Sequence, residues 1–186
     1  MRIVAGKYRS RVIEAPKGED TRPTLDRVRE NLFNIIQNQV PGSRVLDLFS
    51  GSGALALEAV SRGAVSAVLC DISREANRIE KQNVRTLGAE TQCQIFCMPW
   101  QSCVRRLAET GMQFDVIFLD PPYRMTDLSE VCSCLLPLMS EHAVLVVEHR
   151  NETEPVVDTA LERYDRRKYG YVGLSLYRRK DQEDGQ

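Results

Sequence analysis

Histidine and tryptophan are scarce in this chain of 186 residues: His142, His149 and Trp100 are all there is. The six cysteines (Cys70, Cys93, Cys97, Cys103, Cys132, Cys134) include no Cys-x-x-Cys pair. A clustered zinc site therefore lacks its ligands, and no metal is expected. No apolar stretch reaches the length of a bilayer span. Met1 to Arg11 alternates basic with apolar residues where a signal peptide needs an apolar core. The chain is accordingly expected in the cytoplasm, away from membranes, with its cysteines mostly buried and reduced. The net charge of −1 excludes a wholly basic nucleic-acid coat, and no internal repeat is present. The remaining composition, 42% hydrophobic and 27% charged, is that of an ordinary globular protein. The length suits one domain, 1–186, read as a monomer.

The organising stretch is Arg44 to Ala54, Arg-Val-Leu-Asp-Leu-Phe-Ser-Gly-Ser-Gly-Ala. Val45, Leu46, Leu48 and Phe49 form the short apolar run of a buried strand, stopped by Ser50-Gly51-Ser52-Gly53. Ala54 to Val60 then has helix-forming composition. Strand, glycine turn and helix make the nucleotide-site opening of an α/β sheet. The glycines admit a ligand close to the backbone, and the helix N-terminus offers free N–H groups. A Gly-x-Gly alone is equally a tight structural turn. Asp47 is more selective, because a carboxylate there repels a pyrophosphate but attracts the ammonium of S-adenosylmethionine (SAM).

Charge is distributed unevenly. Arg2, Lys7, Arg9 and Arg11 precede the first acid, Glu14, and Arg163, Arg166, Arg167, Lys168, Arg178, Arg179 and Lys180 face few carboxylates. Basic ends on a more acidic body suggest a local phosphate-binding surface, against the plainer reading of a solvated face. Met1 to Ala15 reads as a strand or hairpin with Gly6-Lys7 as its turn, and Lys17 to Thr24 as a loop. A helix follows, with Thr24 as N-cap and Val28, Leu32, Ile35 and Ile36 on one face. Arg22, Arg27 and Arg29 with Asp26 and Glu30 read as surface pairs.

Beyond the central strand the pattern alternates. Strands are expected at 67–72, 94–98, 114–120 and 143–148. Helices are expected at 74–87 (N-cap Ser73), 100–109, 128–139 and 154–163. A closing antiparallel hairpin, 166–171 with 174–179, turns at Val172-Gly173. This alternation implies parallel strands with helices on both faces, and 181–186 should be a disordered tail.

Two further signals bear on chemistry. Asp71 ends the second strand, where an acid accepts hydrogen bonds from both hydroxyls of a nucleoside ribose. Pro99-Trp100 follows the third, where Trp100 either packs on a purine or caps the core. Asp120-Pro121-Pro122-Tyr123 ends the fourth. Its two prolines fix the backbone and remove two N–H donors, leaving the Asp120 and Pro121 carbonyls free of ladder duty. Such a turn suits acceptance of hydrogen bonds from an amino group, with Tyr123 to stack a planar substrate. An amide or base amine is a poor nucleophile because its lone pair is delocalised. Taking its protons with the Asp120 carboxylate and the Pro121 carbonyl favours pyramidal nitrogen.

Asp-Leu-Phe-Ser-Gly-Ser-Gly together with Asp-Pro-Pro-Tyr resembles the amino-methyltransferases of the Rossmann-like SAM-dependent superfamily. Arg2 to Arg11 and Thr21-Arg-Pro-Thr-Leu-Asp-Arg-Val-Arg-Glu-Asn-Leu-Phe-Asn34 narrow it: the chain is similar to the RsmD family, which methylates guanine N2 in small-subunit (16S) ribosomal RNA. The resemblance implies a central, mostly parallel seven-stranded sheet with a C-terminal antiparallel hairpin. It implies an RNA-contacting hairpin and helix at 1–40 and a Rossmann-like core at 41–180. Asp47, Phe49, Ser50, Gly51, Gly53, Asp71, Ile72, Pro99 and Trp100 would bind SAM, with Arg22 and Thr24 closing its methionine end. Asp120, Pro121, Pro122 and Tyr123 would hold the guanine, and Arg2, Lys7, Arg9, Arg11 and Arg27 the RNA. The partner implied is 16S ribosomal RNA within an assembling or assembled small subunit. One departure is Pro99, where the family usually carries Asp or Asn, so adenine recognition passes to backbone or neighbouring side chains. The alternatives are a DNA adenine-N6 methyltransferase, a protein glutamine-N5 methyltransferase, and a non-catalytic RNA-binding protein with a SAM site.

Overall fold

A computed structural model describes residues 1–15 and 23–180. Its elements run α1 (Pro23–Ile35), β1 (Arg44–Asp47), α2 (Ala54–Ser61), β2 (Ser66–Asp71), α3 (Arg74–Leu87), β3 (Cys93–Cys97) and α4 (Trp100–Glu109). They continue with β4 (Phe114–Leu119), α5 (Ser129–Leu135), a 3₁₀ turn (Leu136–Leu138), β5 (Met139–Arg150), β6 (Leu161–Tyr169) and β7 (Val172–Arg179). The seven strands among the described residues form one sheet in the order β3-β2-β1-β4-β5-β7-β6. The first five are parallel, and β7 enters antiparallel between β5 and β6. This is the Rossmann-like sheet with a closing hairpin that the pattern implies.

Both faces of the sheet are covered, which is why its inner strands read as continuous apolar runs. Val45, Leu69, Val116, Phe118 and Val146 pack against Phe33 and Ile36 near α1, Leu57 and Val60 of α2, and Val84 of α3. Leu46, Val68, Ile117, Leu119 and Val147 pack on the other side against Val104 and Leu107 of α4 and Val131 and Leu135 of α5. The alternation Val116/Ile117/Phe118/Leu119 is the pleat itself, each residue taking the opposite face. α3 starts at Ser73, whose hydroxyl accepts the Ala76 N–H at 3.3 Å, as its sequence announces.

Several local expectations fail. Residues 154–163 form no helix: Pro155 has no N–H to give, Val156 bridges Asp127 in parallel pairing, and β6 begins at Leu161. The β6–β7 hairpin turns at Gly170-Tyr171, with Gly170 at φ +61°, not at Val172-Gly173. Gly173 is needed for another reason, because a Cβ there would stand 2.5 Å from the His149 ring. Residues 1–15 make a single Arg2–Val12 bridge and a few flanking hydrogen bonds rather than full strands. Thr24 lies inside α1, which begins at Pro23, and is no N-cap. The proposed tail, 181–186, falls outside the described residues. Cys70, Cys103 and Cys132 are buried, whereas Cys97 and Cys134 are exposed.

The N-terminal segment is held by α2. Glu58, fully buried, accepts the Val4 N–H (2.8 Å) and the Ala5 N–H (3.0 Å), and pairs with Arg62 at 2.8 Å and Arg29 at 3.6 Å. Ser61 accepts the Tyr8 N–H on its hydroxyl (2.9 Å) and the Lys7 N–H on its carbonyl (2.7 Å). Arg29 is consequently no surface residue. At 5% exposure it donates to the Arg2 carbonyl (2.6 Å) and to Asp26 (2.9 Å).

Gly6 permits this docking. At φ +81°, a Cβ on it would lie 1.9 Å from the Ser61 carbonyl oxygen, a backbone atom that cannot yield. Gly6→Ala is expected to undock residues 2–11 while leaving the sheet intact, at a cost of roughly 2 kcal/mol. Hydrogen exchange checks it: the Ile3, Lys7 and Tyr8 amides lose protection, and those of β1 and β4 keep theirs.

Candidate active site

At the carboxyl ends of β1, β2, β4 and β5 the structure opens a cavity of about 940 Å³, toward the upper end of what small-ligand sites span. Every described residue of the expected cofactor set except Gly53 lines it: Asp47, Phe49, Ser50, Gly51, Asp71, Ile72, Pro99 and Trp100. Asp120, Pro121, Pro122 and Tyr123 line the same cavity. Arg22 lies outside the described residues, and so does the Thr24 side chain.

The carboxylate of Asp47 is almost wholly buried at the end of β1. One oxygen accepts the Ala56 N–H at 3.2 Å, and the other, Oδ1, has no hydrogen-bond partner among the described residues. Burial, with the negative charges of Glu80 and Asp71 close by, pushes its pKa up to about 8. A buried acceptor without a donor, in the wall of a cavity, is what a cationic group of a ligand would complete. Asp71 is engaged differently, its two oxygens accepting the Gly51 N–H (3.0 Å) and the Ser73 N–H (2.8 Å). It pins the glycine loop to the end of β2.

The two loop glycines have separate reasons. Gly51, at φ +53°, would carry a Cβ into open space, so its bareness keeps the cavity clear. Gly53, at φ +77°, would set a Cβ 2.7 Å from Leu69 Cδ2. Gly53 is constrained by packing against the core beneath the loop and does not line the cavity.

Beneath the loop lies a third acid that the sequence does not announce. Glu80 of α3 is buried and receives a short hydrogen bond from the Ser50 hydroxyl. Desolvation first, and then Asp71, raise its pKa to about 7 although Ser50 and Asn77 oppose this. Three carboxylates therefore surround one loop, an environment suited to a positively charged ligand.

The acceptor side is built on β4 and β5. Asp120 follows β4 and is exposed, Pro121 is buried, and the Pro122 carbonyl accepts the Met125 N–H at 2.7 Å to close the turn. Tyr123 is half-buried, with the Arg150 guanidinium 5.4 Å from its ring centroid. Burial, then the charges of Glu148 and Asp120, raise its phenol pKa, so it stays protonated. Trp100 lines the cavity and packs on the core with Phe49 and Met98.

The wall also holds residues that sequence reasoning passed over: Met1, Arg29, Gln101, Arg124, Glu148 and Tyr171. For Arg29 a signal existed in the Thr21–Asn34 block, but its spacing from Asp26 looked like a surface pair. The expected RNA residues Arg2, Lys7, Arg9, Arg11 and Arg27 are exposed and lie off the cavity, and Arg11 also donates to the Thr86 carbonyl. The C-terminal basic cluster is ion-paired in part. Arg163 and Arg166 pair with Glu154, Arg167 with Asp165 and Arg178 with Glu162. Three carboxylates thus face seven cations there, and the edge stays net basic.

Comparison with known proteins agrees with this geometry. The family model described as "Conserved hypothetical protein 95" matches residues 1–178. The "Ribosomal RNA small subunit methyltransferase D" of Escherichia coli K12 is 33% identical, covering 98% of this chain and 91% of that protein. The protein of that name from Haemophilus influenzae is 31% identical, covering 95% of this chain and 93% of its own length. Among solved structures, the yhhF protein of Escherichia coli superposes with a TM-score of 0.84 at 31% identity, covering 98% of this chain and 99% of that one. A hypothetical protein of Thermus thermophilus gives 0.79 at 32%, covering 95% and 98%. The chain therefore belongs to the Conserved hypothetical protein 95 family, that of the RsmD methyltransferases.

Proposed function

We propose that this chain transfers a methyl group from SAM to the exocyclic N2 amine of a guanine in 16S ribosomal RNA. The observation that carries the reading is a single cavity. Asp47, Gly51, Asp71 and Asp120–Tyr123 all line it, so donor and acceptor can meet without crossing a wall. Relatives named for small-subunit ribosomal RNA methylation support the substrate class. That substrate implies a cytoplasmic protein.

When bound, SAM supplies an electrophilic methyl carbon on a sulfonium. The Asp47 Oδ1 suits its ammonium, the ends of β1 and β2 its ribose, and Ile72 and Trp100 its adenine. Pro99 offers no side-chain acceptor, but Gln101, in the same wall, carries an amide that can take over adenine recognition. On the acceptor side, Tyr123 stacks the base and the Asp120 carboxylate accepts an N2 hydrogen bond. The lone pair on N2 is thereby turned toward the methyl carbon. The Asp120 carboxylate would stabilise the positive charge that grows on N2 as that nitrogen takes the methyl group in exchange for its bond to sulfur. The proton leaves N2 afterwards, to solvent. Strengthening of that hydrogen bond toward the transition state is the catalytic contribution.

Removing Asp120 should consequently lower turnover more than binding. Asp120→Ala is expected to lose roughly two to four orders of magnitude in single-turnover rate with SAM and RNA saturating. Asp120→Asn keeps an acceptor oxygen and should retain more activity than Ala. A wild-type rate in Asp120→Ala would remove Asp120–Tyr123 from the active site.

The state of Asp47 predicts a proton count. With its pKa near 8 when no ligand is bound, Asp47 is mostly protonated at about pH 6.5, and an incoming ammonium ionises it. Binding SAM at that pH should release close to one proton, the number falling as pH rises toward 8. Calorimetry in buffers of different ionisation enthalpy measures this, and Asp47→Asn should remove most of the release, leaving the smaller share of Glu80.

The exposed N-terminal cations predict salt behaviour. Replacing Lys7, Arg9 and Arg27 with Ala should weaken RNA binding and flatten the log–log salt slope by about 2, at roughly 0.7–0.9 per phosphate contact. SAM affinity should not change. An unaltered slope would show that these charges are only a solvated face.

A further inference from the structure

Glu148 has no part in the reading so far, yet it lines the cavity beside Asp120 and Tyr123. Its place follows from register. Leu119 of β4 pairs with Val147 of β5 in parallel, so the next residues on each strand, Asp120 and Glu148, are lateral neighbours at the carboxyl edge of the sheet. Adjacent strands lie about 4.8 Å apart. The structure thus brings two carboxylates to the acceptor side of the cavity beside Tyr123, whose ring has the Arg150 guanidinium 5.4 Å from its centroid.

The exocyclic amines of the bases differ in what stands next to them. Guanine carries its N2 amine beside N1–H, two donors on one edge. Adenine carries N6 beside a bare N1, and cytosine N4 beside a bare N3, each a donor next to an acceptor. A carboxylate is an acceptor only. Two adjacent carboxylates match the donor–donor edge of guanine and oppose the lone pair that adenine or cytosine would present.

We propose that Glu148 is the residue that selects guanine, its carboxylate accepting the N1–H while Asp120 accepts from N2. This rests on the methyl-transfer reading above and specifies how its base is chosen. Glu148 acts on the bound base and needs no new chemistry. Its hydrogen bond forms in the ground state and persists through the reaction, so its loss should appear chiefly in discrimination and in KM, whereas loss of Asp120 appears in kcat. A site built to bind a donor disfavours an analogue that presents a lone pair there instead, because acceptor then faces acceptor.

The test uses 2-aminopurine, which keeps the N2 amine but has a bare N1 and no O6. The wild-type protein is first given undermethylated 16S RNA and SAM, and the methylated nucleoside is identified and mapped. Any product other than N2-methylguanosine overturns the functional reading itself, and this inference with it. Transcripts carrying guanine or 2-aminopurine at the mapped position are then compared. Wild-type protein should use 2-aminopurine with kcat/KM lower by roughly 10- to 100-fold. Equal rates would overturn the role of Glu148 without any variant being needed, and with the functional reading intact. Glu148→Gln presents an amide that can donate to a bare N1, so its preference for guanine should shrink to within about threefold, with SAM affinity retained. A wild-type preference in Glu148→Gln would assign the discrimination to another group. Should that variant not fold, Glu148→Asp, which keeps the charge on a shorter stem, should raise KM for RNA more than it lowers kcat. An unchanged KM there would also count against the proposal.

Discussion

The interaction on which most of this architecture depends is the burial of the Glu58 carboxylate. An ionised acid without water costs several kcal/mol unless its oxygens are filled. Two backbone amides from the N-terminal segment and two guanidiniums fill them here. These four partners come from three separate parts of the chain, and all must be present together. The same contacts that satisfy Glu58 fix Arg29, and with it α1, beside the cavity, and bring Met1 to the cavity wall. A residue remote from the reacting groups thus sets one wall of the site.

A second constraint lies under the glycine loop. Burial, helped by the nearby negative charges, raises the pKa of Asp47 to about 8 and that of Glu80 to about 7. Asp71 spends its oxygens on the Gly51 and Ser73 amides, so that it acts as a fastener for the loop. The division of labour among three similar acids follows from what each one accepts, not from residue type.

Much of the fold could be read from the chain because both faces of the sheet are buried. Continuous apolar runs then mark strands closely, and β2, β3 and β4 fall within a residue or so of where hydrophobicity puts them. Ser73 and the helix after it were legible for an equally local reason, a hydroxyl before a run of helix formers. Asp47, Asp71 and Asp120 were legible because a carboxylate interrupting or ending an apolar run stands out. Glu58 and Glu80 were not. Acids within helices look like solvent-facing residues, and only the tertiary packing shows that these two point inward. Arg29 was hidden in the same way, its spacing from Asp26 imitating a surface pair. The misplaced hairpin turn came from two glycines three residues apart. Gly170 supplies the left-handed turn, while Gly173 makes room for an imidazole, and composition cannot tell these uses apart.

The order of strands has a consequence for how the protein comes into being. β5 pairs with β4 on one edge, but its other edge belongs to β7, a segment some twenty residues later, and among the described residues β6 has no partner strand except β7. During synthesis the first five strands can assemble as they emerge, while the outer edge of β5 stays open until residue 179 has left the ribosome tunnel. That open edge, Leu145–Arg150, is a template for misassembly. The hairpin that finally covers it also carries Tyr171 into the cavity. The nascent chain is therefore vulnerable to aggregation and without its finished site over the same interval, and one docking event ends both conditions.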